Sequence, residues 1–369
     1  MKRIAILCDG TWNRLDARRP TNVVRLARAI PPTAADGVPQ LTFYLPGVGT
    51  GAGSSAAARW LDVLLGGAFG WGLDGIMAKA YRDLVFAYEP GDALYIFGFS
   101  RGAYTARSFA GLLRSAGIPD RARTDMIPQA LKLYRARGAR THPNSETSMA
   151  ARVAMGSVVA TSPEERAWRR ARGHPEVPLL SVAYLGVWDT VGALGLPGVL
   201  GSLARAVNAH YAFHDTDLSR MVAAARHAVA LDERRRLFPP TLWSNLDALS
   251  ARAGAARYRQ HWFAGDHGMI GGGSERVPDL GPLTLRWIAE GAADAGLDID
   301  TDQFAEGDAL AGPVNLGTPP GPANAFGLLL SDRAGPERAQ DVAPEVVTRI
   351  RERGDYQPGS LLRIWDSLI

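Results

Sequence analysis

The chain has 369 residues, 46% of them hydrophobic and 21% charged, with 41 lysines and arginines against 37 acids for a formal net charge of +4. That composition excludes a disordered or fibrous chain and leaves material for one large α/β domain with insertions, while so small a charge does not point to a nucleic-acid partner even at a pI near 9.3. The lone cysteine, Cys8, rules out an intramolecular disulfide, and no uninterrupted apolar stretch is long enough to span a bilayer.

Residues 4–8 read as a buried strand. The apolar run there is too short for a signal peptide and ends in Asp9, so the expectation is a soluble cytoplasmic chain, with export by a specialised secretion system as the alternative. The loop Asp9-Gly10-Thr11-Trp12-Asn13 leaves the carboxyl end of the strand, the edge where open α/β sheets bind ligands. Gly10 and Thr11 are candidates for half of an oxyanion hole; the competing reading is a plain turn at Asp9 and Gly10 with Trp12 packed beneath. Residues 22–30 read as a helix stopped by Pro31 and Pro32, and residues 41–45 as a second strand. The glycine and serine density over 47–55 lacks the Gly-Lys-Ser/Thr of a phosphate loop. The strongly apolar residues 60–71 read either as a lid or lipid-facing flap or as a core helix. A helix over 75–88 leads into a third strand, 93–97.

That strand runs into Gly98-Phe99-Ser100-Arg101-Gly102 and then into residues 103–113 at helical spacing. Strand, tight turn and helix around Gly-x-Ser-x-Gly describe a nucleophile elbow, in which the flanking positions have no room for side chains. The bland alternative makes Ser100 a helix cap in an ordinary βα turn. A serine nucleophile needs a histidine base, oriented by a carboxylate, and the amide of the next residue, Arg101, is placed to face a developing oxyanion.

Residues 120–178 read as an insertion of two or three helices covering the site, its arginines, among them Arg121, Arg135, Arg169 and Arg172, lying on solvated faces. Residues 179–188 form a long apolar run suited to a central parallel strand, and Asp189 follows it directly, where the carboxylate of a triad is expected. Residues 226–234 read as a helix that makes His227 a weaker candidate base. His267 stands in a glycine-rich loop after a strand over 261–264, which suits a base that reaches across to Ser100. The order Ser100, Asp189, His267 is that of α/β-hydrolases. Asp266 beside His267 is too little for a metal site, and no metal or cofactor is expected. A helix over 283–295, a loop over 307–327, and a tail of one helix with an extended end complete the chain.

The segments Ile6-Leu7-Cys8-Asp9-Gly10-Thr11-Trp12-Asn13, Gly98-Phe99-Ser100-Arg101-Gly102-Ala103, Gly186-Val187-Trp188-Asp189-Thr190 and Trp262-Phe263-Ala264-Gly265-Asp266-His267 run in order across most of the chain. So arranged, the sequence resembles a bacterial and fungal family of α/β-hydrolases that includes the type VI secretion phospholipase effectors. The resemblance implies a single three-layer domain with a mostly parallel sheet. It also implies an esterase or phospholipase acting on a lipid ester through Ser100, Asp189 and His267, with Arg101, Asp9, Gly10 and Thr11 around the oxyanion. Two departures stand out: Met269 where the family has an acid, and Ala343 where it often has a histidine. The missing acid at Met269 and the long apolar segment over 60–71 motivate the alternative of a hydrolase-fold protein that binds a partner or lipid surface without turnover.

Overall fold

The computed structural model describes residues 1–11, 13–47, 67–136, 138–192, 217–236, 238–253, 257–317 and 330–369. Its centre is a six-stranded sheet in which β1 (Arg3–Cys8), β2 (Gln40–Leu45), β3 (Ala93–Phe99), β4 (Val182–Trp188), β5 (Ala225–Ala230) and β6 (Tyr258–Phe263) lie in the order β2-β1-β3-β4-β5-β6. All five pairings are parallel. Parallel strands at the centre of a sheet are covered on both faces, which is why β1, β3 and β4 read as apolar runs instead of alternating ones.

The pleat splits the core in two. Ile4, Ile6, Cys8, Leu94 and Ile96 face one way, where α2 (Gly67–Ala87) contributes Tyr81 and Leu84, and α3 (Arg101–Ala116) contributes Ala106, Phe109 and Leu113. Ala5, Leu7, Tyr95, Phe97 and Phe99 face the other way, toward α1 (Asn22–Ala29), α9 (Gly281–Asp294) and α10 (Pro344–Glu352). The result is the three-layer α/β-hydrolase-like sandwich. The chain steps outward from β1 to β2, then returns past β1 to β3 and proceeds the other way. The sheet order therefore reverses between β1 and β3, and at such a switch point the loops leaving the two carboxyl ends diverge and open a crevice.

Most predicted elements recur within a few residues, but two expectations are corrected. The segment expected as a helix around His227 is β5, all six of whose residues are buried, paired to β4 on one side and β6 on the other. Its polar residues disguised the strand. Arg226 lies over the Trp287 ring and donates to the Trp287 carbonyl, and His227 is held between Thr190 and Gln260. The end of the tail, expected extended, coils as a 3-10 helix over Gly359–Ser367.

The insertion forms α4 (Ile127–Arg135), α5 (Glu146–Ala154) and α6 (Pro163–Ala171), and its Ile127, Ala130, Met155 and Val159 join the core on the α2–α3 face. Arg169 is not on a solvated face: Glu165, buried at 0% exposure, takes Arg152 at 2.8 Å and Arg169 at 2.9 Å. A carboxylate inside the protein needs such partners, because an unpaired buried charge is strongly destabilising. The first part of the apolar segment over 60–71, and the glycine-serine segment beyond Gly47, lie outside the described residues. Among the described residues, no helix is long and apolar enough to cross a membrane. A short α7 (Leu246–Ala253) and α8 (His267–Ile270) flank β6.

Candidate active site

Ser100 sits between β3 and α3 with φ 60° and ψ −125°, and its N–H donates to the Trp188 carbonyl at 3.0 Å. A non-glycine residue in this region costs about 1–3 kcal/mol and persists only where its surroundings impose it. The two glycines of the motif are what allow it. A Cβ at Gly98 would lie 2.4 Å from the Gly102 carbonyl oxygen, and one at Gly102 would lie 2.3 Å from that of Cys8. Among the described residues, the non-glycine positions with positive φ are Ser100 and Asp189, the latter at 37°.

These two strained residues meet through one imidazole. His267 Nε2 is 2.7 Å from Ser100 Oγ, and His267 Nδ1 is 2.6 Å from Asp189 Oδ2. A carboxylate only accepts, so Nδ1 carries the proton and donates it to Asp189, which leaves Nε2 as the acceptor for the serine hydroxyl in the neutral ring. The ring lies between Phe99 and Phe238, with centroids 4.7 and 5.1 Å away. It opens α8, a single turn whose cap, Asp266, accepts from the Gly268 and Met269 amides and is bound by Arg276 at 2.9 Å. The glycines that follow have a steric reason. A Cβ at Gly271 would fall 2.2 Å from the Phe99 ring, and one at Gly272 would fall 2.2 Å from Asn22 Oδ1.

Asp189 is fully buried at the end of β4. Oδ1 accepts from the Ala230 amide at 3.0 Å and from Arg333 at 2.7 Å, and Oδ2 accepts from Arg333 at 2.9 Å besides His267. Burial alone would raise its pKa, but the Arg333 charge and the hydrogen bonds from His267 and Arg333 outweigh it and hold the carboxyl well below the usual carboxylate range.

The β1 loop is organised by Asp9. Its carboxylate accepts from Tyr44 Oη at 2.7 Å, from Thr21 Oγ1 at 2.9 and 3.0 Å, and from the Gly10 amide at 2.7 Å. Burial raises the Asp9 pKa, against the pull of these donors. Of the residues expected around the oxyanion, Asp9 is thus an acceptor that fixes the loop, and Gly10 gives its amide to Asp9. Gly10 still borders the site, since a Cβ on it would come within 3.3 Å of Ser100 Cβ. The Thr11 hydroxyl is buried and has no hydrogen-bond partner among the described residues. Arg101 is the first residue of α3, immediately after Ser100.

His227 does not reach this cluster. Its Nε2 accepts from the Thr190 amide at 3.1 Å and its Nδ1 donates to Gln260 at 3.0 Å, while burial and the Arg107 charge push its pKa down to about 3. Met269, where the resemblance implies an acid, is buried in the core, and so is Ala343, whose N–H donates to the Trp262 carbonyl at 2.9 Å. Three contributors escaped the sequence reading. Glu233 accepts from the His267 amide at 3.3 Å and pairs with Arg235 at 2.7 Å. Arg235 in turn lies over the Phe238 ring at 3.9 Å. Arg333 arrives from a tail segment with no motif around it, so no spacing could reveal it.

Sheet order, flanking helices and the strained turn between β3 and α3 together define an α/β-hydrolase-like fold. The chain belongs to the family described as the type VI secretion phospholipase effector Tle1-like catalytic domain, whose model matches residues 2–291. It is 28% identical over 245 residues to the Saccharomyces cerevisiae protein YEL023C, a match covering 64% of this chain and 32% of that one. Two solved structures are similar at 17% identity and a TM-score of 0.39. One is a Pseudomonas aeruginosa protein, with 81% of this chain and 46% of that chain covered; the other is the Tle1 effector bound to the VgrG spike, with 75% and 52% covered. The chain thus spans about a third of the yeast relative and about half of each structure.

Proposed function

We propose that the protein is a serine hydrolase that cleaves carboxylic ester bonds of lipids through an acyl-enzyme. The observation that supports this best is the unbroken line from Ser100 Oγ through His267 to Asp189, with hydrogen bonds of 2.7 and 2.6 Å. In this reading Ser100 Oγ attacks the acyl carbonyl as His267 Nε2 takes its proton. The imidazolium is stabilised by Asp189 and then protonates the leaving alkoxide. Water attacks the acyl-serine in the second half, giving its proton to the same nitrogen, and the fatty acid leaves. The Arg101 amide is the first donor to the oxyanion, and the second comes from the β1 loop at Thr11, since the Gly10 amide is engaged by Asp9. Membership in a phospholipase effector family supports a phospholipid as the ester.

The decisive comparison is wild type against Ser100→Ala, assayed on p-nitrophenyl butyrate, on phosphatidylcholine and phosphatidylglycerol vesicles, and with a fluorophosphonate probe. Removal of a triad nucleophile lowers turnover about a millionfold, so hydrolysis and labelling should both vanish. Equal labelling of the variant would refute the assignment.

A further inference from the structure

Arg333 reaches the site from beyond residue 291, where the family match ends. Its guanidinium is forked on Asp189, Nη1 to Oδ1 at 2.7 Å and Nη2 to Oδ2 at 2.9 Å. Each nitrogen also donates to a carbonyl, Nη1 to Ala230 at 2.7 Å and Nη2 to Phe238 at 2.7 Å. Its side chain is only 5% exposed. A buried arginine and carboxylate repay their desolvation only when the geometry is good and most other donors are engaged; four directed bonds occupy both Nη atoms, while the buried Nε has no partner among the described residues.

We propose that Arg333 is a positioning residue for the hydrolase site: it sets the Asp189 carboxylate where Oδ2 meets His267, anchors the Phe238 loop against the imidazole, and biases that ring toward its uncharged, proton-accepting form. The proposal rests on the serine-hydrolase reading above. Without Arg333, Asp189 keeps only the Ala230 amide on Oδ1 and His267 on Oδ2, and the carboxyl group is free to swing about its own axis. The carbonyl of Phe238, whose ring lies against His267, loses its guanidinium donor at the same time.

The acids around the imidazole each carry a cationic partner. Glu233, after β5, is balanced by Arg235, and Asp266, capping α8, is balanced by Arg276. Arg101 stands at the start of α3, beside Ser100. At the end of β4, Asp189 is balanced by Arg333 from the tail, and this cation sits on the carboxylate that would otherwise favour a charged ring. Loss of Arg333 leaves that carboxylate's attraction for an imidazolium unopposed. The base then holds its proton to higher pH, and the acidic limb of kcat/KM moves upward.

The test is the pH profile of p-nitrophenyl butyrate hydrolysis by wild type, Arg333→Gln, Arg333→Lys and Ser100→Ala, each checked for folding by circular dichroism. Arg333→Gln is expected to shift the acidic limb up by about one pH unit, the usual scale for one neighbouring charge, and to lower kcat at least tenfold with KM nearly unchanged. Arg333→Lys retains the charge but cannot fork, so it should restore the limb and not the full kcat. A folded Arg333→Gln protein with the wild-type limb overturns the proposal. Should Arg333→Gln fail to fold, Arg333→Lys decides: a wild-type kcat overturns the positioning role, and a several-fold loss with an unmoved limb supports it. If Ser100→Ala hydrolyses as well as wild type, the serine reading fails and this proposal with it. If Ser100→Ala is inactive while the Arg333→Gln limb stays put, this proposal alone fails.

Discussion

Gly102 backs directly onto the end of β1: a methyl group on its Cα would stand 2.3 Å from the Cys8 carbonyl oxygen and 2.4 Å from that of Asp9. The elbow and the β1 loop are therefore in backbone contact, and the position of Ser100 depends on how close α3 can come to β1. Both obstructing atoms are main-chain oxygens, one in the last residue of β1 and one just beyond it, and cannot yield as a flexible side chain would. Gly102→Ala is expected to destabilise the protein by about 2–3 kcal/mol, the upper range for overpacking, and to lower ester hydrolysis at least a hundredfold in the protein that remains folded. Thermal melts and initial rates on the same preparations check this; a variant with wild-type rate and melting temperature would show that the contact relaxes easily.

A second expectation concerns Asp9, which holds Tyr44, Thr21 and the Gly10 amide together. Asp9→Ala strands these donors, at about 1–3 kcal/mol for each buried group left unpaired and less for the half-buried Tyr44, and loosens the loop that carries Thr11. kcat should fall more than KM rises, because the loop is assigned to the transition state. Tyr44→Phe removes one donor and should show a smaller loss in the same direction. A rise in KM alone would place the loop in substrate binding instead.

Acid sensitivity should trace in part to His227. Its pKa is about 3 in the fold against an ordinary 6.5, so between those values the unfolded chain binds a proton that the folded chain does not. Stability from this group is complete above about pH 6.5 and is lost as the pH falls toward 3, by up to about 1.4 kcal/mol per pH unit. Asp232, which burial pushes up to about 6, acts in the opposite sense: the folded state holds its proton between about 3.8 and 6, and that contribution is lost as the pH rises through the window. His227→Gln retains an acceptor for the Thr190 amide and removes the charge penalty. Its urea midpoint should therefore gain on wild type steadily from pH 6.5 to pH 4. A constant difference across that range would mean His227 does not titrate as its burial dictates.

What the order of residues determined by itself was local. A β-branched and aromatic run followed by Gly-x-Ser-x-Gly can hardly avoid strand, sharp turn and helix, and the acid after an apolar run must lie at a strand's carboxyl end. The strand pattern also announced the parallel sheet. By contrast, β5 was hidden because Arg226 and His227 look solvated until Trp287, Gln260 and Thr190 are known to lie beside them. Arg169 misled in the same way, since only packing reveals Glu165 next to it. Whether the Gly10 amide is open to a ligand depends on a side chain one residue away, Asp9, which accepts from it.

Arg333 marks the boundary most clearly. Nothing in its neighbours in sequence sets it apart, because its partners, Asp189, Ala230 and Phe238, come from three separate parts of the chain. Periodicity and turn chemistry act over a few residues, and they determined which segments form strands and where the reactive side chains leave them. Bringing a tail arginine onto a carboxylate 144 positions away depends instead on how the layers close over the sheet, and only the tertiary structure decides that.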